Sequence, residues 1–168
     1  MLLLGIDVGT SSIKVSVVDA DTGLTKASCT YPEQETAIIS PQTGWAEQSP
    51  DMWWSHVCEA IIACNAKKLY NPHDISAIGI AYQMHGLVMV DKDNNSIRNS
   101  IIWCDSRAVA IGDQANEAIG KERTLKHLLN SPGNFTASKL GWVKANETNI
   151  YNKADKVMLP GDYIALKL

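Results

Sequence analysis

Asp7-Val8-Gly9-Thr10-Ser11-Ser12 places a carboxylate, a glycine and three consecutive hydroxyls between two apolar runs. A glycine in such a bend is expected to adopt φ > 0, so that backbone N–H groups and the Thr10, Ser11 and Ser12 hydroxyls face one small concavity. A turn of this kind can cradle phosphate oxygens without a helix N-terminus. Asp7 would then hold Mg²⁺ or its waters beside those oxygens, because Mg²⁺ takes few carboxylates and keeps several waters. The plain alternative is a hairpin turn with a capping Asp. Lys14, past the turn, reads equally as a solvated strand residue. Neither G-x-x-x-x-G-K-[ST] nor G-x-G-x-x-G occurs in this stretch, so the two commonest phosphate loops are excluded there.

A second group, Gln83-Met84-His85-Gly86, follows an apolar run at a strand end, where α/β sheets place ligands. Gln83 and His85 can bond sugar hydroxyls, Met84 can cover an apolar sugar face, and Gly86 permits close backbone approach. The competing assignment is a packed strand end with a satisfied core histidine. His56, His73 and His127 fall on a helix, a polar turn and a late helix, and read as structural. A third group, Trp103-Cys104-Asp105-Ser106-Arg107, combines an aromatic platform with an acid and a base. Asp105 is either a hydroxyl acceptor, an N-cap for the following helix, or the partner of Arg107 in a local pair. Trp45, in Gly44-Trp45-Ala46-Glu47-Gln48, reads as the anchor of a structural loop.

These residues need elements to hold them. Leu2 to Val8, Ile13 to Val18 and Thr25 to Tyr31 read as three strands joined by short turns, which must pair antiparallel. Ser49-Pro50-Asp51 carries helix-start chemistry, and Trp53, Trp54, Val57, Ala60, Ile61 and Cys64 follow at helical spacing to about Leu69. Ile75 to Ala81 is continuous and apolar, as in a buried central strand. Leu87 to Val90 and Ser100 to Trp103 read as two short strands across the polar turn Asp91 to Asn95. From Arg107 the spacing turns helical, with a loop at Ser131-Pro132-Gly133-Asn134 and a helix from Thr136 to Ala145. A strand over Lys156 to Leu159 and a helix after Pro160-Gly161 end the chain. Three antiparallel strands followed by α-β-α-β alternation make an α/β fold with a mixed sheet flanked by helices.

Composition narrows the function. The 168 residues are 45% apolar with five Trp, which excludes disorder and suits one domain. Fifteen Lys+Arg against 18 Asp+Glu give a formal charge of −3, so no basic excess points to nucleic acid. No apolar run nears the about 20 residues needed to span a bilayer, and Met1 to Ile6 meets Asp7 too soon for a signal peptide. Cys29, Cys58, Cys64 and Cys104 form no C-x-x-C pair, as expected for reduced thiols packed in a soluble, cytoplasmic protein.

Taken in order, these stretches resemble the FGGY carbohydrate kinases over essentially the whole chain. The matching segments are Gly5 to Lys14; Gly44 to Gln48 with Trp53-Trp54; and Ile78-Gly79-Ile80 with Gln83 to Gly86. Trp103 to Arg107, Phe135 to Leu140 with Trp142, and Leu159 to Tyr163 complete the series. The resemblance implies an RNase H-like (actin-like ATPase) half-domain. Gln83-Met84-His85-Gly86 is similar to the xylulokinase branch, where Met and His at these positions line the ketose site. Glycerol kinases carry an Arg-Glu pair at Met84-His85, and gluconate-type kinases usually carry Ser at Gly86. Cys104 departs from the Asn or Gln common before the Asp.

The resemblance implies phosphorylation of D-xylulose with ATP and Mg²⁺, the partners being a small sugar and the nucleotide, without nucleic acid or membrane. A homodimer is among the assemblies open to it. Asp7 would be the catalytic and Mg²⁺-organising residue; Gly9, Thr10, Ser11 and Ser12 would bind phosphate; Gln83, Met84, His85, Trp103 and Asp105 would bind sugar. Family members are longer and two-domain, so residues 1–168 are expected to be most of the N-terminal domain. The general base, the adenosine pocket and a second phosphate loop would lie outside it. Alternatives are a kinase for another ketose, polyol or sugar acid (ribulose, glycerol, gluconate) or a non-enzymatic nucleotide switch of the actin or Hsp70 type. A sugar-sensing repressor finds no helix-turn-helix or basic face to support it.

Overall fold

A computed structural model describes residues 1–168. In chain order the first elements are β1 (Leu2–Val8), β2 (Ile13–Asp19), β3 (Thr25–Tyr31), β4 (Glu47–Gln48), α1 (Pro50–Ala66), β5 (Ile75–Tyr82), β6 (Val88–Val90) and β7 (Ser100–Ile101). They are followed by α2 (Val109–Ile119), α3 (Lys121–Leu128), α4 (Thr136–Asn146), α5 (Thr148–Lys153), β8 (Lys156–Met158) and α6 (Pro160–Lys167). Where length alone suits one domain, the chain divides into two compact units. One comprises Met1–Ala37, Asp51–Gln83 and Gly161–Leu168, the other Ile38–Pro50 and Met84–Pro160.

The first unit is built on a four-stranded mixed sheet in the order β3-β2-β1-β5. β2 runs antiparallel to both β1 and β3, as short turns require, and β5 runs parallel to β1 after the crossover through α1. Period-two alternation buries Leu2, Leu4, Ile6 and Val8 on one face, with Val17, Val15 and Ile13 opposite the last three. α1 buries Trp53, Val57, Ala60 and Cys64 along one stripe. The Cys64 thiol reaches the Val15 carbonyl at 3.9 Å, and His56 meets Tyr31 edge-on at 5.1 Å between ring centres. Burial, with Cys29 close by, pushes the Cys64 thiol up to about 11, so it is a packed hydrophobe. α1 stops at Ala66, short of the expected end near Leu69, because Lys68 takes φ 54° and reverses the chain.

Two strand expectations are corrected. β5 is an edge strand rather than a buried central one: it pairs with β1 alone, and Ile78 stands 46% exposed. Its apolar composition is that of a strand covered on both faces, whereas here only Ile75 and Ile80 are half-buried and the other six residues are exposed. β6 and β7 are not partners in one hairpin. β6 pairs with β8 and β7 with β4, leaving a single bridge between Leu87 and Ile101. Non-local partners more than 50 residues away in the chain outcompete the local turn.

The second unit packs Leu87, Met89, Ile101 and Val143 into its core, with Ile97, Leu140, Trp142, Ile150, Tyr151 and Ala154 against them. α4 lends Val143, Leu140 and Trp142 to this cluster, which fixes the helix and its first turn against the chain around Leu87.

Candidate functional site

In the first unit Asp7, the last residue but one of β1, lies opposite Lys14 on β2, and both side chains are exposed. They line a shallow hollow of about 420 Å³ on the sheet face together with Gly5, Ser16, Gly79 and Ala81. The turn beyond Asp7 is closed by the Gly9 N–H donating to the Ser12 carbonyl at 3.1 Å. The expectation that Gly9 takes φ > 0 is corrected, since it is absent from the left-handed residues. Glycine is required there for room: a Cβ would stand 2.8 Å from the Ser12 carbonyl oxygen. The Thr36 N–H straps the following segment onto Ser11 at 2.8 Å.

Gln83 belongs to this unit as well. Its N–H donates to the Val8 carbonyl at 2.9 Å, and Thr10 Oγ1 donates to its Oε1 at 3.3 Å. Gln83 is thus brought to the Thr10 turn, a placement the expected sugar role does not anticipate. The donor set fits a phosphate with Mg²⁺: one exposed carboxylate beside three hydroxyls, and no group of three His, Cys, Asp or Glu that would suit a transition metal.

In the second unit His85 is the organising residue. It takes φ 61°, left-handed for a residue with a Cβ. Its imidazole stacks on Phe135 at 4.7 Å between centres, with the planes 19° apart. Lys139 Nζ donates to the His85 carbonyl at 2.7 Å, and Thr136 Oγ1 to the Gly86 carbonyl at 3.4 Å. Residues 85 and 86 are therefore held by the start of α4. Burial, then the Lys139 charge, lower the His85 imidazolium from its ordinary value and so favour the neutral ring, which can both donate and accept. Met84 is 64% exposed and Trp103 45% exposed, as surfaces for a ligand must be. Asn134, next to Phe135, donates from its Nδ2 to the Trp103 carbonyl, tying the Trp103 loop to the residues around His85.

Gly86 and Asp105 depart from their expected roles. Gly86 is buried, and a Cβ there would stand 2.4 Å from Pro160 Cγ, so the close approach is made by proline. The Asp105 side chain has no exposed surface. Its Oδ2 accepts from the Ala46 N–H at 2.6 Å and from Arg107 Nη2 at 2.7 Å, and its Oδ1 accepts from the Arg107 N–H at 2.8 Å. Neither does it cap α2, whose N-cap is Ala108. The local pair is the arrangement present. Arg107 also reaches Glu47 at 2.7 Å and lies 3.8 Å above the Trp45 ring, which is edge-on to Trp142 at 5.1 Å. Trp45 is the loop anchor its position suggests.

Lys139, Phe135 and Asn134 were not legible as site residues. A lysine within a helical segment reads as solvated, and only the tertiary path of α4 brings it to His85.

A family model for the N-terminal domain of the FGGY carbohydrate kinases matches residues 2–168. The xylulose kinase of Escherichia coli strain K12 is 34% identical over 167 residues, covering 99% of this chain and 33% of the relative. The crystal structure of a xyloylose kinase from Brucella ovis superimposes with a TM-score of 0.86 at 32% identity, over 99% of this chain and 34% of that one. A gluconate kinase from Lactobacillus acidophilus gives 0.83 at 27% identity, over 99% and 33%. The chain thus spans about one third of the length of these relatives. A sheet that opens with a hydroxyl-rich turn after Asp7, and a match that runs from residue 2 to residue 168, place this chain in the FGGY family of carbohydrate kinases.

Proposed function

We propose that the chain is most of the N-terminal domain of an ATP-dependent kinase that converts D-xylulose to D-xylulose 5-phosphate. The oxygen of the sugar's terminal hydroxyl attacks the γ-phosphorus of ATP, the bond to the β–γ bridging oxygen breaks, and ADP leaves. The hydroxyl proton goes to a carboxylate supplied outside residues 1–168. The turn from Thr10 to Ser12 would steady the phosphate oxygens, with Ser11 and Ser12 offering their hydroxyls while the Gly9 N–H and the Thr10 hydroxyl hold the turn itself, and Asp7 would hold the hydrated cation. Mg²⁺, when bound, neutralises charge on the phosphates. Met84 covers an apolar face of the ketose, the His85 ring bonds its hydroxyls, and Trp103 offers its exposed ring to the C–H face. Asp105 serves through Arg107 and Ala46 to hold the Trp103 loop.

The observation that carries this proposal is His85: a part-buried imidazole set in a left-handed backbone and stacked on Phe135, next to the exposed Met84. The Escherichia coli relative at 34% identity is a xylulose kinase and the Brucella ovis structure at 32% a xyloylose kinase, which supports the ketose. A sugar acid is the second candidate, supported by the gluconate kinase fold match, although His85 and Met84 offer no cation to a carboxylate. Nuclear magnetic resonance titration of the purified chain separates them. D-xylulose is expected to shift the His85 and Trp103 ring signals, whereas stronger shifts with D-gluconate would overturn the substrate assignment.

A further inference from the structure

Lys139 is fully buried in the first half of α4, a costly position for an ammonium. Burial pushes it down to about 8, despite Asp105 nearby. What it does with this charge is donate 2.7 Å to one backbone carbonyl, that of His85. That carbonyl belongs to the peptide joining His85 to Gly86, so the bond fixes the rotation of the backbone on the C-terminal side of a residue already at φ 61°. A left-handed residue with a Cβ is strained and persists only where its surroundings over-determine it. Here the surroundings come from one segment: Phe135 on the ring, Thr136 on the next carbonyl and Lys139 on its own.

We propose that Lys139 is a positioning residue, which holds the His85–Gly86 peptide and thereby sets the imidazole face on Phe135. The consequence for substrate rests on the function proposed above; the consequence for the ring does not. With Lys139 in place His85 presents one edge to the ligand side, and without it the peptide is free to rotate and the ring leaves the stack.

The test compares the purified chain with its Lys139→Met variant. Stacking on Phe135 moves the His85 ring protons upfield, and this displacement is expected to collapse toward free-histidine values in Lys139→Met. Affinity for D-xylulose is expected to fall about tenfold or more, the loss of a charge-assisted hydrogen bond behind the ligand-facing ring. If the variant is too unstable to examine, a double-mutant cycle takes its place, with Lys139→Gln where methionine is not tolerated. Glycine adopts the left-handed conformation freely, so the substitution at 139 is expected to lower the thermal midpoint less in a His85→Gly background than in the native one. Unchanged ring shifts in Lys139→Met, or equal losses in both backgrounds, would overturn the proposal. A chain in which the shifts depend on Lys139 but D-xylulose does not bind would keep the positioning role and remove the substrate.

Discussion

Arg107 has 1% of its side chain exposed, with the Asp105 and Glu47 carboxylates against it and Trp45 stacked on its face. A buried pair of this kind contributes little net stability while intact, yet breaking it leaves an uncompensated charge. Arg107→Met is expected to cost about 3–5 kcal/mol in urea unfolding, since Asp105 would keep only backbone donors. Arg107→Lys is expected to restore little of that, because the planar fork that meets two oxygens of Asp105 is lost. A loss below about 1 kcal/mol in either variant would mean that the network is slack. Lys139 makes a pH prediction of opposite kind. Its folded value of about 8 lies below the ordinary 10.5, so the unfolded chain binds more protons between those values. This stability is present above pH 10.5 and is lost as pH falls through about 8. Burial drives the shift, with the Asp105 carboxylate and Cys104 opposing it and Arg107 adding to it. Relative to Lys139→Met, the native chain is expected to gain about 3 kcal/mol from pH 7 to 10.5 in urea titrations. A difference that does not change with pH would mean that Lys139 titrates as a solvated lysine.

The elements differ in how openly the sequence announces them. β1, β2 and β3 were legible because alternation and short turns leave one pairing available, and α1 because its apolar stripe follows a proline start. The partners of β6 and β7 were not, since pairing with β8 and β4 spans stretches of chain that carry no local signal. β5 was legible as a strand but not as an edge, because apolar composition records what a strand is made to contact, not what covers it here. The site divides the same way. Asp7, the hydroxyl turn, Met84, His85 and Trp103 stand out by type and spacing, whereas Phe135, Asn134 and Lys139 owe their place to where α4 is docked. The exposed face of β5 gives a direct check. Ile78→Lys in the 168-residue chain is expected to change unfolding free energy by no more than about 0.5 kcal/mol, as at other open surface positions. A penalty above about 2 kcal/mol would place that side chain in a packed interior.

At the level of the molecule, the fold, the family match and the stacked histidine support the proposed phosphoryl transfer to a small sugar. The first unit holds a hydroxyl-rich turn beside the Asp7 carboxylate, and the second an aromatic and imidazole surface. The proposal places the carboxylate for the attacking hydroxyl outside residues 1–168, so residues 1–168 alone are expected to release no ADP from ATP in response to D-xylulose. Sugar-dependent turnover by the purified chain would mean that a base has been overlooked. The most direct test of the central claim is the rate of ADP release by the full kinase polypeptide with D-xylulose, for the native protein and for Asp7→Ala and His85→Ala. The account predicts turnover that requires D-xylulose, is abolished by Asp7→Ala, and has its KM raised by His85→Ala. ADP release indifferent to the sugar, or undiminished in both variants, would contradict it.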